Sequence, residues 1–83
     1  MWKVVMYTTR FCPYCIAAKR LLQTKNVGFE EIAVDLDASL REQMQALSGR
    51  RTVPQIFIGD RHVGGFTDLV SLDRAGELDD LLG

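Results

Sequence analysis

Phe11-Cys12-Pro13-Tyr14-Cys15 decides how this chain folds, because it holds both cysteines of an 83-residue sequence and sits where an apolar run gives way to a helical period. Pro13 suits the first position of a helix, where a missing N–H costs nothing, so Cys12 becomes the residue before the helix and Cys15 lies one turn further in. Side chains three apart on a helix are neighbours, with Cβ atoms roughly 5–6 Å apart. A disulfide wants about 3.8 Å. Cys12 must therefore leave helical geometry for a bond to close, and a cap position permits that.

Upstream of this stretch, Val4, Val5, Met6 and Tyr7 show no polar alternation and predict a strand to about Thr8, buried on both faces. Downstream, Cys15, Ala18, Leu21 and Leu22 share one face of an amphipathic helix opposite Lys19, Arg20 and Gln23, and Asn26 to Gly28 marks its stop. Phe29 to Val34 alternates again. A strand-helix-strand unit of this length implies two parallel neighbouring strands with a right-handed crossover. Ser39 and Glu42 have capping-box spacing before a second helix, with Leu40, Met44 and Leu47 as its apolar stripe and Ser48-Gly49 as its end. Gln55 to Ile58, a Gly59-Asp60 turn and a return strand near His62-Val63 predict an antiparallel hairpin. Gly64-Gly65 breaks that pattern, a helix marked by Leu69, Leu72 and Ala75 follows from near Thr67, and Leu78 to Leu82 reads as a final short turn. The order is β-α-β-α-β-β-α, an α/β chain.

Composition bounds the function. With 47% apolar residues the chain can bury one modest core, so a single domain over residues 1–83 is expected. The formal net charge is −1, from 10 basic and 11 acidic residues interleaved along the chain, which argues against a nucleic-acid or anionic-membrane partner. The opening MWKVVMYT lacks a basic leader and is too briefly apolar to span a bilayer, so neither export nor membrane insertion is expected, and the expected location is the reducing cytoplasm. In such a compartment paired cysteines are more often catalytic or metal-binding than structural.

Three roles compete for Cys12 and Cys15. As a staple they close so small a ring that the chain-entropy gain is only roughly 2 kcal/mol, against about 3 for a 15-residue loop. As a zinc site they lack a second pair, and His62 is the sole histidine. Redox chemistry fits better. The partial positive charge and unpaired N–H groups at a helix start favour a thiolate at Cys12. Stabilising a thiolate raises its population but lowers its nucleophilicity by nearly as much, so the larger benefit comes when Cys12 is the leaving group of a mixed disulfide. Cys15, facing the core, is expected to keep an ordinary thiol pKa and to act as the resolving thiol.

Cys12-Pro13-Tyr14-Cys15 at a strand-helix junction, Thr52-Val53-Pro54 before a hairpin strand, and Gly64-Gly65 with Asp68 before the next helix together resemble the dithiol glutaredoxins, especially the short bacterial ones. The resemblance covers nearly the whole chain. It implies a thioredoxin fold, a four-stranded mixed sheet flanked by helices, and glutathione-dependent reduction of protein disulfides and glutathionylated proteins. It implies glutathione as co-substrate with no bound cofactor and no metal, glutathione reductase as an indirect partner, and a monomer. By the resemblance Cys12 is the nucleophile, Cys15 resolves protein disulfides, and Tyr14 lines the glutathione site. Statistics alone make Pro54 a trans proline, whereas the resemblance implies a cis Val53–Pro54 bond in the Thr52-Val53-Pro54 loop that offers the Val53 backbone to glutathione's cysteinyl part. Gly65 allows a close backbone approach. The N–H groups of Thr67 and Asp68 would hold the γ-glutamyl carboxylate and the Asp68 carboxylate its ammonium, a plain helix cap being the alternative.

Two positions depart from the pattern. Thr9 stands where many relatives carry lysine, which leaves Arg10, Arg41, Arg50 or Arg51 to meet the glycine carboxylate, Arg50 and Arg51 being best placed. Phe66 stands where relatives often have a small or polar residue, and is either a hydrophobic contact beside the site or a staple for the following helix. His62, Met44 and Trp2 read as a surface turn residue, a core residue and a strand-start aromatic. Two rival functions share these motifs. One is a redoxin reduced directly by a thioredoxin reductase; the other is a carrier of a glutathione-ligated [2Fe-2S] cluster, disfavoured by Pro13 and by competition from Cys15.

Overall fold

Strand β1 (Val4–Thr8) is buried along its length except at Val5, because strands flank it on both edges and side chains cover it on both faces. The structure is a computed structural model that describes residues 2–83. In it β1 pairs in parallel with β2 (Glu30–Ala33) and antiparallel with β3 (Gln55–Ile58), and β4 (Arg61–Gly64) pairs antiparallel with β3. The sheet order is β2-β1-β3-β4. Helix α1 (Pro13–Thr24) is the crossover between the parallel pair, and α2 (Ala38–Ser48) links β2 to β3. Helix α3 (Phe66–Arg74) follows the hairpin, and Leu78–Leu82 is a one-turn helix, α4, rather than a bare turn. This is the thioredoxin fold, in the order that the hydrophobic periodicity implies.

Alternation along β1 sends Val4 and Met6 to one face and Val5 and Tyr7 to the other. The first face packs with Ala18, Leu22, Ile56, Ile58, Leu69, Leu78 and Leu82, drawn from α1, β3, α3 and α4. The second packs Tyr7 with Val34 and Met44, joined by Leu40, Val53 and Phe57, so α2 alone covers it. Met44 is the core residue its spacing suggests.

The structure differs from expectation at both ends of α2. Its N-cap is Asp37, not Ser39: the Asp37 carboxylate accepts the Ser39 N–H at 2.9 Å and the Ser39 hydroxyl at 2.6 Å. A carboxylate one residue before the helix reaches those donors more directly than a hydroxyl already inside it. Leu47 is 56% exposed and does not complete the apolar stripe. It overlooks a groove of about 340 Å³ above Val5, Tyr7 and Phe57 instead of filling it. Gly49, with φ 71°, ends the helix in the left-handed conformation glycine adopts freely.

The hairpin contains one irregularity. Phe57 faces His62, yet Ile56 faces Gly64, so β4 carries an extra residue at Val63. Such a bulge bends the strand and re-aims its side chains. Here it separates His62 from Gly64, which leads directly into α3.

Candidate active site

Cys12 is the N-cap of α1, with extended dihedrals of φ −129° and ψ 106°, and Pro13 takes the first helical position. The departure from helical geometry that an S–S bond requires is therefore built into the reduced state, in which both thiols are free. The Cys15 N–H donates to Cys12 Sγ at 3.1 Å, doing for sulfur what an N-cap oxygen usually does. A thiolate at Cys12 would accept the same bond with charge assistance. Cys12 Sγ also lies 3.8 Å from the Val53 carbonyl oxygen.

Cys15 is fully buried. Its thiol does not keep the ordinary pKa expected of it: burial first, then the hydrogen bond shared with Cys12, pushes it up to about 12. The Cys15 thiol is thus held protonated at neutral pH.

Facing Cys12, the Val53–Pro54 peptide bond is cis. Tyr14, Arg50, Thr52, Val53, Pro54, Gly65, Phe66, Thr67 and Asp68 line one groove of about 310 Å³. The three motifs, spread from Cys12 to Asp68 in the sequence, meet because β1 and β3 are neighbours and α3 begins beside their ends. Gly65 is the N-cap of α3, and the Asp68 carboxylate reaches back to its N–H at 2.9 Å. The same oxygen, Oδ2, takes Arg50 Nη1 at 2.9 Å. The Gly65 N–H first and the Arg50 guanidinium second hold the Asp68 carboxyl below its ordinary range. Gly64 has φ 114°, and a Cβ there would run into the Asp68 carboxylate and stand 3.0 Å from Arg50 Nη1, so only glycine leaves room for this pair.

Not every candidate arginine reaches the groove. Arg10 Nε binds Asp35 at 2.9 Å and its guanidinium stacks near the exposed Phe11 ring. Arg51 is exposed and outside the groove lining, its carbonyl accepting Arg41 Nη1 at 3.3 Å. Phe66, left between two roles by its sequence position, lines the groove and approaches Tyr14 with ring centroids 6.3 Å apart.

His62 is not a surface turn residue. It belongs to β4, packs on Phe57 at 4.9 Å between centroids, and contacts the buried Gln55 with Nε2 2.7 Å from Oε1. Gln55 in turn donates Nε2 to the Thr52 carbonyl at 3.0 Å and to Thr52 Oγ1 at 3.2 Å. Only a glutamine at a buried strand start hinted at this, and hydrophobic periodicity does not weigh such a signal.

Among the described residues no helix is long and apolar enough to cross a membrane, and no cluster of three or more histidine, cysteine or acidic side chains could hold a metal ion. Comparison with known proteins bears on what this groove serves. The Glutaredoxin family model matches residues 4–63. A glutaredoxin of Pseudomonas aeruginosa is 58% identical over 79 residues, spanning 95% of this chain and 94% of that protein. The solution structure of glutaredoxin from Brucella melitensis is 51% identical with a TM-score of 0.88, covering 99% of this chain and 89% of that one. A crystal structure of a buckwheat glutaredoxin–glutathione complex superposes with a TM-score of 0.90 at 27% identity, over 98% of this chain and 76% of that one. With a dithiol at a helix start, a cis-proline loop against it and this likeness along nearly its whole length, the chain belongs to the glutaredoxin family, the glutathione-dependent thiol oxidoreductases.

Proposed function

We propose that residues 1–83 work as one domain, a monomer of the cytoplasm, in which Cys12 is the attacking and leaving sulfur and Cys15 the resolving one. The Cys12 thiolate attacks the glutathionyl sulfur of a glutathionylated protein; the protein thiolate departs and takes up a proton. Glutathione thiolate then attacks the same sulfur, forming oxidised glutathione and releasing Cys12. With a protein disulfide, Cys12 forms a mixed disulfide and Cys15 attacks Cys12 Sγ, its proton passing to the departing substrate thiolate. Two glutathione molecules reduce the resulting Cys12–Cys15 bond, and glutathione reductase restores them.

The bond from the Cys15 N–H to Cys12 Sγ at 3.1 Å carries this reading, because it stabilises negative charge on the sulfur that must leave. The groove beside it suits glutathione. The Val53 backbone next to cis Pro54 suits a strand-like pairing with the cysteinyl part. Tyr14, with Thr52 and Gly65, forms the walls. The N–H groups of Thr67 and Asp68 at the start of α3 suit the γ-glutamyl carboxylate, and the Asp68 carboxylate its ammonium. Of Arg10, Arg50 and Arg51 only Arg50 lines the groove, and to meet the glycine carboxylate it would have to leave Asp68.

A glutathione-coupled assay on a small glutathione mixed disulfide, followed by NADPH consumption with glutathione reductase, should show turnover that Cys12→Ser abolishes. Cys15→Ser should keep removal of glutathione from proteins and lose reduction of intramolecular disulfides. Equal loss of both would overturn the division of roles.

A further inference from the structure

Gln55 is fully buried, and it is flanked by the loop that meets Cys12 on one side and by His62 on the other. Its amide is polar but uncharged, and every hydrogen bond it makes is directional. The Nε2 group donates both to the Thr52 carbonyl and to Thr52 Oγ1, so the amide is clamped with its oxygen toward His62. An amide oxygen only accepts, so His62 must carry its proton on Nε2 to make the 2.7 Å contact. Stacking on Phe57 at 4.9 Å fixes the imidazole ring, and the bulge at Val63 sets where that ring stands. Thr52 immediately precedes Val53, whose carbonyl is the one beside Cys12 Sγ.

We propose that His62 and Gln55 are positioning residues that act in series, His62 fixing the Gln55 amide and Gln55 fixing the Thr52–Val53 backbone in the register that pairs with glutathione. Neither residue lines the groove, so they set affinity for glutathione adducts without touching them. The inference rests on the assignment of the Val53 backbone to glutathione's cysteinyl part. Thr52 itself is exposed, and the loop's other anchors lie on either side of it, in Val53 packed half-buried against the second core and in the buried Pro54. Without the amide clamp, the loop would sample several arrangements, and only a fraction would pair with substrate, lowering apparent affinity by that fraction.

Three variants separate the links. His62→Phe keeps a ring over Phe57 but donates nothing to Gln55. His62→Gln restores an N–H donor. Gln55→Glu can accept from His62 but has nothing to donate to the Thr52 carbonyl. Each is assayed for apparent KM and kcat on a small glutathione mixed disulfide, with Asp68→Ala as a marker of the groove itself. The single-turnover rate with 4,4′-dithiodipyridine, a disulfide containing no glutathione, reports on Cys12 alone. His62→Phe and Gln55→Glu should raise apparent KM about fivefold, the worth of one such hydrogen bond, with kcat and the dithiodipyridine rate little changed. His62→Gln should recover most of the loss. If Asp68→Ala raises KM while His62→Phe and Gln55→Glu do not, the positioning role is overturned and the groove stands. If none of the three moves KM, the groove assignment falls and the positioning role with it. Parallel loss of kcat and of the dithiodipyridine rate would make the pair a merely structural support, which also overturns the proposal.

Discussion

Cys15 has no exposed surface, and its thiol, pushed up to about 12 by burial and by its bond with Cys12, stays protonated at neutral pH. An alkylating reagent needs an accessible thiolate, and of the two cysteines only Cys12 keeps any exposed surface, 7% of it. Iodoacetamide at neutral pH should therefore add once to the reduced native protein, at Cys12, and a second time only after denaturation; peptide mass spectrometry distinguishes the two, and early labelling of Cys15 would contradict its burial. Asp68 makes a second residue-level case. Its carboxyl is held below the ordinary range by the Gly65 N–H and then Arg50. On acidification the unfolded chain binds its proton first, so the stability Asp68 contributes is present above about pH 4 and lost as pH falls through the lowered pKa. Asp68→Asn should melt lower than the parent at neutral pH, with the gap closing in acid, as thermal scans across that range would reveal; a gap independent of pH would point away from the carboxylate. Cys12, Cys15 and Asp68 are legible in the sequence because short motifs carry them. The contact between Gln55 and His62 is not, since it depends on a bulge that no local pattern announces.

Among the elements, β1, β3 and α1 follow from apolar runs and helical period together with Pro13, the Asn26–Gly28 stop and the Gly59-Asp60 turn, and their bounds fall close to expectation. The caps are where local signals compete. Asp37 and Ser39 both suit an N-cap, and the side chain standing outside the first turn wins. At the junction of β4 and α3 the requirement is stricter. Gly64 has φ 114° and no room for a Cβ beside Asp68 and Arg50. Gly64→Ala should cost about 1–3 kcal/mol for the backbone conformation alone, and more if the Arg50–Asp68 pair is displaced. Gly28→Ala is the control, having an ordinary φ and nothing within 4 Å of the new methyl. Urea unfolding should show a clear fall in midpoint for the first and almost none for the second.

At the scale of the whole molecule, two thin cores lie on opposite faces of one sheet, and a chain of 83 residues has little surplus stability. The segment Leu78 to Leu82, which suggests only a turn, packs Leu78 and Leu82 into the larger core. Its brevity hides that duty, because five residues are too few to display a helical period. Leu78→Ala should cost about 2–5 kcal/mol, a large share of the total, while turnover of a small mixed disulfide stays unchanged below the melting temperature. Denaturant titration beside the coupled assay tests both halves of that expectation.

The recessed second sulfur also bears on how the protein survives peroxide. An oxidant that converts the outer sulfur to a sulfenic acid leaves it beside a sheltered thiol, and the two condense to a disulfide with loss of water before another oxidant molecule arrives. Wild-type protein exposed to hydrogen peroxide should therefore lose two hydrogens by mass and recover fully with glutathione, whereas Cys15→Ser should accumulate irreversible sulfinic acid. The inner thiol guards its neighbour from damage.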